Sequence, residues 1–380
     1  MQIQQIQSIH KSPTRIVYVN AGAGTQALHQ LLNIGGASRT LLEAIVPYSQ
    51  SAFDNFLGQT PDQYVADKTA RLLAGRAYQR ACQLAGPSAD LVGISCTASI
   101  ASDRPKRGEH RAYVAAWQPS RLDVYDLYLE KGVRDRQGEE ALISQLVIDV
   151  LSDACGINGE RLWQSALQDA RLIHERCDFQ AVTQQLLQGK IDYFGVHDHG
   201  RIRTTDVHPQ TLLSGSFNPL HIGHLGMAAA ASKRLARPIA FELSAQNVDK
   251  PPLEAAVVLG RVAQFAGEHP IYVSNAPTYL EKSRLYPGAT FVVGYDTAVR
   301  IFETRYYQNS EETMLAALSE IQARGCHFLV AGRLCEDGNF RTLEDIMIPI
   351  PFDAMFSAIP DEDFRVDISS TELRASKGKQ

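Results

Sequence analysis

Twice along its length this chain settles into an alternation of short, β-branched apolar runs with amphipathic stretches, and a less regular segment separates the two. Such alternation is the mark of an α/β layer fold, because each strand must be covered by a helix before the next strand is laid down. The first run spans residues 15–155. It contains the strand-like "RIVYVN", "LVGISCTAS" and "HRAYVAAWQ", the helical "TQALHQLLNIG", and a second apolar run, "LLEAIVPYS". A long amphipathic stretch ends at Gly86-Pro87, as helices commonly do, and "GEEALISQLVIDVLSDACG" closes the set. The second run starts at Thr211 with strand "TLLSGS", a helix from His221 and strand "PIAFELS". After these come helix "EAAVVLGRVAQFAG", strands "IYVSN" and "TFVVGYD", helix "SEETMLAALSEIQARG", strand "CHFLVAGR" and a short helix after "DISST". We expect two tandem α/β domains, residues 1–156 and 211–380, joined by a connecting segment over 157–210, with a parallel sheet in the second. A length of 380 residues agrees with two domains at roughly 100–200 residues each.

Charge and cysteine usage narrow the partners. The net charge is −5, so no global basic field attracts nucleic acid or an anionic membrane, and any phosphate site has to be local. Six scattered cysteines form no C-x-x-C pair and no zinc-like spacing with histidine, which predicts reduced, buried thiols and no metal site. The first residues lack a signal-type apolar core, and no run of about 18 apolar residues follows, so a cytoplasmic protein without membrane partners is expected.

The stretch "LLSGSFNPLHIGHLGMAAAASK", Leu212 to Lys233, passes from a strand through a tight turn into an alanine-rich helix. A helix start presents unpaired N–H groups and a partial positive charge, which together attract anions. His221 and His224, three apart, put two imidazoles on one face of the first turn, and Gly223 between them leaves room for a ligand. Gly215 is expected to supply backbone angles that other residues avoid, and Pro219 to limit the turn's flexibility. A second helix start is predicted at "DISSTELR", where Ser369 and Glu372 have capping-box spacing. There Arg374 offers a fork for two phosphate oxygens, and Ser370 and Thr371 offer hydroxyl donors.

The succession of "GSFNPLHIGH" and "ISSTELR" resembles the two signatures of the HxGH nucleotidylyltransferase superfamily, and "GSFNPLH" with "FVVGYDT" is most similar to its nicotinamide or nicotinate mononucleotide adenylyltransferases. This resemblance covers Thr211 to Ser376 and implies a Rossmann-like fold. It implies attack by a substrate phosphate on the α-phosphorus of ATP, release of pyrophosphate and no covalent enzyme intermediate, chemistry that asks mainly for alignment and charge neutralisation. On the same resemblance His221, His224 and Arg374 are catalytic; Gly215, Ser216, Phe217, Asn218 and Gly223 lie against the nucleotide; and Ser369, Ser370 and Thr371 hold phosphates accompanied by Mg²⁺. Asp296, read as the end of strand "FVVGYD", together with Asn247, Lys250 and Tyr306 or Tyr307, would face a phosphorylated small-molecule acceptor. Where the family carries a tryptophan after the aspartate, this chain has none: its two tryptophans are Trp117 and Trp163. Arg333 is read as either a ligand cation or a surface residue.

In the first domain "NAGAGTQA" satisfies G-x-G-x-x-A with Gly22, Gly24 and Ala27, and Glu43 lies at about the distance of a ribose-binding acid, so a dinucleotide site is one reading. The order of elements over Thr14 to Gly156 resembles the C-terminal domain of the CinA family, associated with nicotinamide mononucleotide deamidation, with "VPYSQSAFDNFLG" as its tyrosine-serine segment. Where that family has a glutamate, a nucleophilic serine and a threonine, this chain has Asn20, Ala21 and Ala23, and Phe53 replaces its lysine. The resemblance therefore implies a domain without deamidase activity, serving as scaffold, oligomerisation unit or ligand sensor, with Tyr48, Ser49 and Arg136 as its remaining polar contacts. The combined expectation is an ATP-dependent adenylyltransferase of NAD biosynthesis, forming a homo-oligomer. The alternatives are another phosphorylated acceptor, CTP as donor, or a non-catalytic nucleotide sensor.

Overall fold

The structure of the chain is a computed structural model that describes residues 2–86, 90–103, 107–157, 161, 169–205, 208–248, 251–335 and 337–365. It divides into two compact units, each α/β: one is Met1–Ala181 with His197–Ile202 and Val262–Glu268, the other is Val182–Val196, Arg203–Arg261 and His269–Gln380.

In chain order the first set of elements is α1 (Gln2–Lys11), β1 (Arg15–Ala21), α2 (Thr25–Asn33), α3 (Ala37–Thr40), β2 (Leu41–Ile45), α4 (Gln50–Leu57), α5 (Asp67–Ala85), β3 (Leu91–Ser99), β4 (His110–Gln118), β5 (Arg121–Leu129), α6 (Arg136–Ala154) and β6 (Ala170–Asp178). The strands form one sheet in the order β2-β1-β3-β4-β5-β6, parallel over the first three and antiparallel from β3 onward. β1 is buried on both faces, which is why "RIVYVN" reads as a continuous apolar run. Ile16 and Tyr18 face a core shared with Ile6 and Ile9 of α1, Leu31 of α2 and Ile143 and Val147 of α6, while α5 lies against β1, β3 and β4. The segment 157–210 is more than a connection: it contains β6, paired with β5 along its full length, then α7 (Phe179–Leu187), β7 (Tyr193–Val196) and β8 (Ile202–Arg203).

The remaining elements are β9 (Thr211–Ser214), α8 (Ile222–Leu235), β10 (Ala240–Ser244), α9 (Ala255–Ala263), β11 (Ile271–Ser274), α10 (Tyr279–Leu285), β12 (Thr290–Gly294), α11 (Tyr295–Arg300), α12 (Glu311–Ala323), β13 (His327–Ala331), the small β14 (Arg333–Leu334) and β15 (Phe340–Arg341) pair, and β16 (Phe356–Ile359). Their sheet runs β16-β13-β12-β9-β10-β11-β7-β8, parallel from β16 to β11, with β7 antiparallel on β11. The chain moves outward from β9 through β10 to β11, then crosses back to β12 on the other side of β9. That reversal makes the carboxyl ends of β9 and β12 a topological switch point, the crevice where open α/β sheets bind ligands. The architecture is the expected one, a Rossmann-like second unit following another α/β unit. The predicted helix after "DISST" lies outside the described residues. Among the described residues no helix is long and apolar enough to cross a membrane.

Gly93 fixes how closely α5 approaches the first sheet. A Cβ there would stand 2.2 Å from the Ala74 carbonyl oxygen and 2.1 Å from the Tyr78 backbone nitrogen. Neither is the movable end of a side chain. Gly93→Ala is therefore expected to separate helix from strand and to destabilise the first unit by about 1–3 kcal/mol or more, read as a lowered midpoint in chemical denaturation; an unchanged midpoint would contradict this packing.

Candidate functional site

The loop after β9 enters α8 through residues 215–221. Gly215 has no positive φ, contrary to the sequence expectation; its special requirement is spatial, since a Cβ would stand 2.7 Å from Cε1 of the Phe217 ring. The left-handed conformation falls to Phe217 instead, at φ 45°. Strain of this kind persists only where the surroundings over-determine it. Here they do so by burying the ring completely, edge-on to Phe241 and to the imidazole of His224. Phe217 thus has only its backbone to offer a nucleotide, while its ring shapes the turn.

His221 and His224 form a reciprocal cap at the start of α8. The Gly223 N–H donates to His221 Nδ1 at 3.1 Å, and the His221 N–H donates to His224 Nδ1 at 3.3 Å. The helix start itself thus engages both histidines. Both Nδ1 atoms accept, so the proton of each neutral ring sits on Nε2. The ring centroids are 3.8 Å apart. Burial, followed by the neighbouring His221, pushes the His224 imidazole down to about 4, and burial also lowers His221. At neutral pH the pair is therefore uncharged: two N–H donors above a helix start, with no net charge to be desolvated.

Beside this turn lies a cavity of about 430 Å³. Gly215, Ser216 and Asn218 line it, and so do Asn247, Tyr306 and Tyr307, so six residues expected at the site from sequence meet in one place. His221, Gly223 and His224 stand on the helix start and are not among the lining residues. Asp296 belongs to the first turn of α11 rather than to the end of β12; it pairs with Arg333 and does not line the cavity. Lys250, Ser369, Ser370, Thr371 and Arg374 lie outside the described residues.

The sequence reading missed several lining residues. Arg261 of α9 and Arg300 of α11 bring two cations to the wall. Each stood out only as an arginine among small and apolar helical neighbours. The one acid lining the cavity among the described residues is Glu242, fully buried, paired with Lys282 and accepting a 2.7 Å hydrogen bond from Ser274 Oγ. That pair is neutral in sum, which leaves the arginines to set the sign of the pocket. Tyr307 spends its hydroxyl on the Ile301 carbonyl at 2.9 Å, whereas Tyr306 has the Arg305 guanidinium over its ring at 4.7 Å.

A second cavity, about 330 Å³, belongs to the first unit and is lined by Asn20, Gly22, Thr25, Gln26, Val46, Tyr48, Arg136, Gln137 and Glu140. Glu140 fills the anion position at the start of α2, accepting from the Gly24 and Gln26 N–H groups at 3.0 and 2.9 Å and from Thr25 Oγ1 at 2.9 Å. Glu43 is bound to Arg80. A dinucleotide would find both its pyrophosphate position and its ribose acid already engaged, so that reading fails. Tyr48 and Arg136 do line this cavity, but Ser49 caps α4 by accepting from the Ala52 N–H. Phe53 is buried edge-on against Tyr64.

Residues 212–376 match the family model described as Cytidylyltransferase-like. The second unit carries a nucleotidyltransferase-like domain. Its β9-turn-α8 segment from Leu212 onward and the cavity fall within the matched residues. No curated protein matches the chain. Among solved structures, the competence/damage inducible protein CihA of Agrobacterium tumefaciens is similar at 16% identity over 40% of this chain and 94% of its own, with a TM-score of 0.34. A CinA superfamily protein of Klebsiella pneumoniae is similar at 12% identity over 41% of this chain and 96% of its own, with a TM-score of 0.32.

The lowered His224 has a consequence for stability. Unfolded, the imidazole titrates near 6.5; folded, it titrates near 4, so between these values the unfolded chain binds more protons. Its contribution is complete above about pH 6.5 and is lost as pH falls toward 4. The second unit should melt progressively lower across that window, and His224→Gln should flatten the decline. Parallel melting curves for the two proteins would contradict the assignment.

Proposed function

We propose that the second unit transfers the nucleotidyl group of ATP to a pyridine mononucleotide and releases pyrophosphate. The observation that carries the reading is the neutral His221/His224 pair, with both protons on Nε2, at a helix start on the switch point of the sheet. In this reading a phosphate oxygen of the acceptor attacks the α-phosphorus, the bond from that phosphorus to the bridging oxygen breaks, and pyrophosphate departs with the electron pair. The Nε2–H groups and the α8 start donate to oxygens on which charge accumulates, stabilisation of the kind that contributes most where water is excluded. Arg261 and Arg300 suit the acceptor's phosphate, and Tyr306 the flat ring in place of the missing tryptophan. Lys250 and Asn247 remain proposed acceptor contacts, and Ser369, Ser370, Thr371 and Arg374 proposed phosphate contacts.

Mg²⁺ fits as a counter-ion carried by the triphosphate rather than held by a protein carboxylate, because Glu242 and Asp296 are each engaged by a cation. When bound it would neutralise phosphate charge. The first unit, in the same proposal, performs no nucleophilic chemistry: Ala21 and Ala23 carry no nucleophile and Phe53 carries no charge.

A second reading, with another phosphorylated acceptor or CTP as donor, draws on the tyrosines that supply every aromatic ring of the cavity wall. Pyrophosphate release should be measured with ATP and Mg²⁺ against nicotinamide and nicotinate mononucleotide, then with CTP and with other phosphorylated acceptors. Release with a pyridine mononucleotide is expected, and His224→Ala should reduce turnover by about 10²–10³-fold. Release only with another pair would shift the substrate. Nucleotide-dependent thermal stabilisation with no product from any pair would leave a sensor in place of an enzyme.

A further inference from the structure

We propose that the turn His197–Asp198–His199, in the first unit, is a binding site for one borderline divalent cation of the zinc type. Each of the three residues offers a ligand atom, and these atoms all lie within 4.8 Å of one another. The two imidazole centroids are 5.3 Å apart with planes inclined at 36°, and Asp198 Oδ1 lies 2.7 Å from His199 Nδ1. Small side-chain rotations suffice to bring three atoms this close onto one ion.

Backbone hydrogen bonds hold the turn in shape, while Asp198 Oδ1 accepts from the His199 N–H at 2.9 Å and is bonded to His199 Nδ1, a side-chain contact that an ion would replace. The Gly200 N–H donates to the His197 carbonyl at 2.8 Å, the His197 N–H donates to the Arg201 carbonyl at 3.0 Å, and the Gly267 N–H donates to the Asp198 carbonyl at 3.0 Å. Gly200 takes φ +76°, and a Cβ there would stand 2.4 Å from Leu122 Cδ2 and 2.8 Å from Trp117 Cζ3, so the turn sits directly on β4 and β5. Arg201 Nη2 reaches Asp67 Oδ2 at 3.0 Å. The ligands therefore converge before any ion arrives, and little ordering entropy opposes binding.

The donor set selects the ion. Two imidazoles and a carboxylate suit Zn²⁺ and its first-row neighbours; Mg²⁺ and Ca²⁺ favour all-oxygen sets, and the softest ions favour thiolates. Three protein ligands also leave a position for water or a further ligand. The sequence does not mark this triplet as zinc-like, because no thiolate takes part and consecutive residues are not a familiar zinc spacing.

The test uses the full chain without a polyhistidine tag, titrated with Zn²⁺ alone against a chromophoric chelator. One equivalent should bind, and His197→Ala and His199→Ala should each weaken binding roughly tenfold or more. The His221→Ala/His224→Ala double variant should leave it unchanged. Co²⁺ in place of Zn²⁺ should give visible d–d bands that His199→Ala abolishes. If the alanine variants fold poorly by circular dichroism, His199→Gln serves in their place. The proposal is overturned by failure to retain zinc against the chelator, by binding that survives loss of His199, or by binding that follows His221 and His224.

Discussion

Two backbone N–H groups at the start of α8 donate into the Nδ1 atoms of His221 and His224, and the chemistry available to the second unit depends on that choice of acceptor. Had either ring donated from Nδ1, its Nε2 would carry a lone pair and could only accept. With Nδ1 accepting, each ring presents a proton instead. The same bonds satisfy helix N–H groups that otherwise lack partners, so one arrangement both starts the helix and fixes the tautomer of each ring. Burial keeps the rings neutral, and the donors carry no solvated charge that a ligand would have to strip.

Around this pair the second unit is built to hold one position steady. Phe217 accepts a left-handed backbone so that its ring can lie under Gly215 and edge-on to His224, and a side chain at position 215 would collide with the ring. The buried Glu242–Lys282 pair fixes the side of the cavity formed by β10 and α10 without adding net charge, and Arg261 and Arg300 are further cations of its wall. In the first unit an equivalent opportunity is closed: the Glu140 carboxylate occupies the N–H groups at the start of α2, where a phosphate would otherwise bind. Both helix starts are thus satisfied from within, one by a carboxylate and one by imidazole nitrogens.

Much of this was legible in the sequence, and what was not has identifiable causes. The strands of both sheets that are buried on two faces announced themselves as apolar runs, and "LLSGSFNPLHIGH" gave the strand-turn-helix and both histidines. β6 did not, because "ARLIHERCD" sits at a sheet edge with most of its side chains exposed and lacks an apolar run. The N-terminal helix escaped for a related reason: of its ten residues, the apolar ones buried in the core are Ile6 and Ile9. The histidine cap was hidden because caps are sought among serine, threonine and aspartate. Gly215 was recognised as necessary but for the wrong reason, since only the fold reveals that the Phe217 ring fills the space of its side chain. Arg261 and Arg300 come from helices distant in sequence and meet only once the sheet reverses direction.

The most direct test is a long-range ¹H–¹⁵N correlation spectrum of the histidine rings, recorded at neutral pH with and without ATP and Mg²⁺. The account predicts that His221 and His224 are neutral with the proton on Nε2 in the free protein, and that the Nε2–H resonances of both move when the nucleotide is added. Protons on Nδ1, or rings indifferent to the nucleotide, would contradict it.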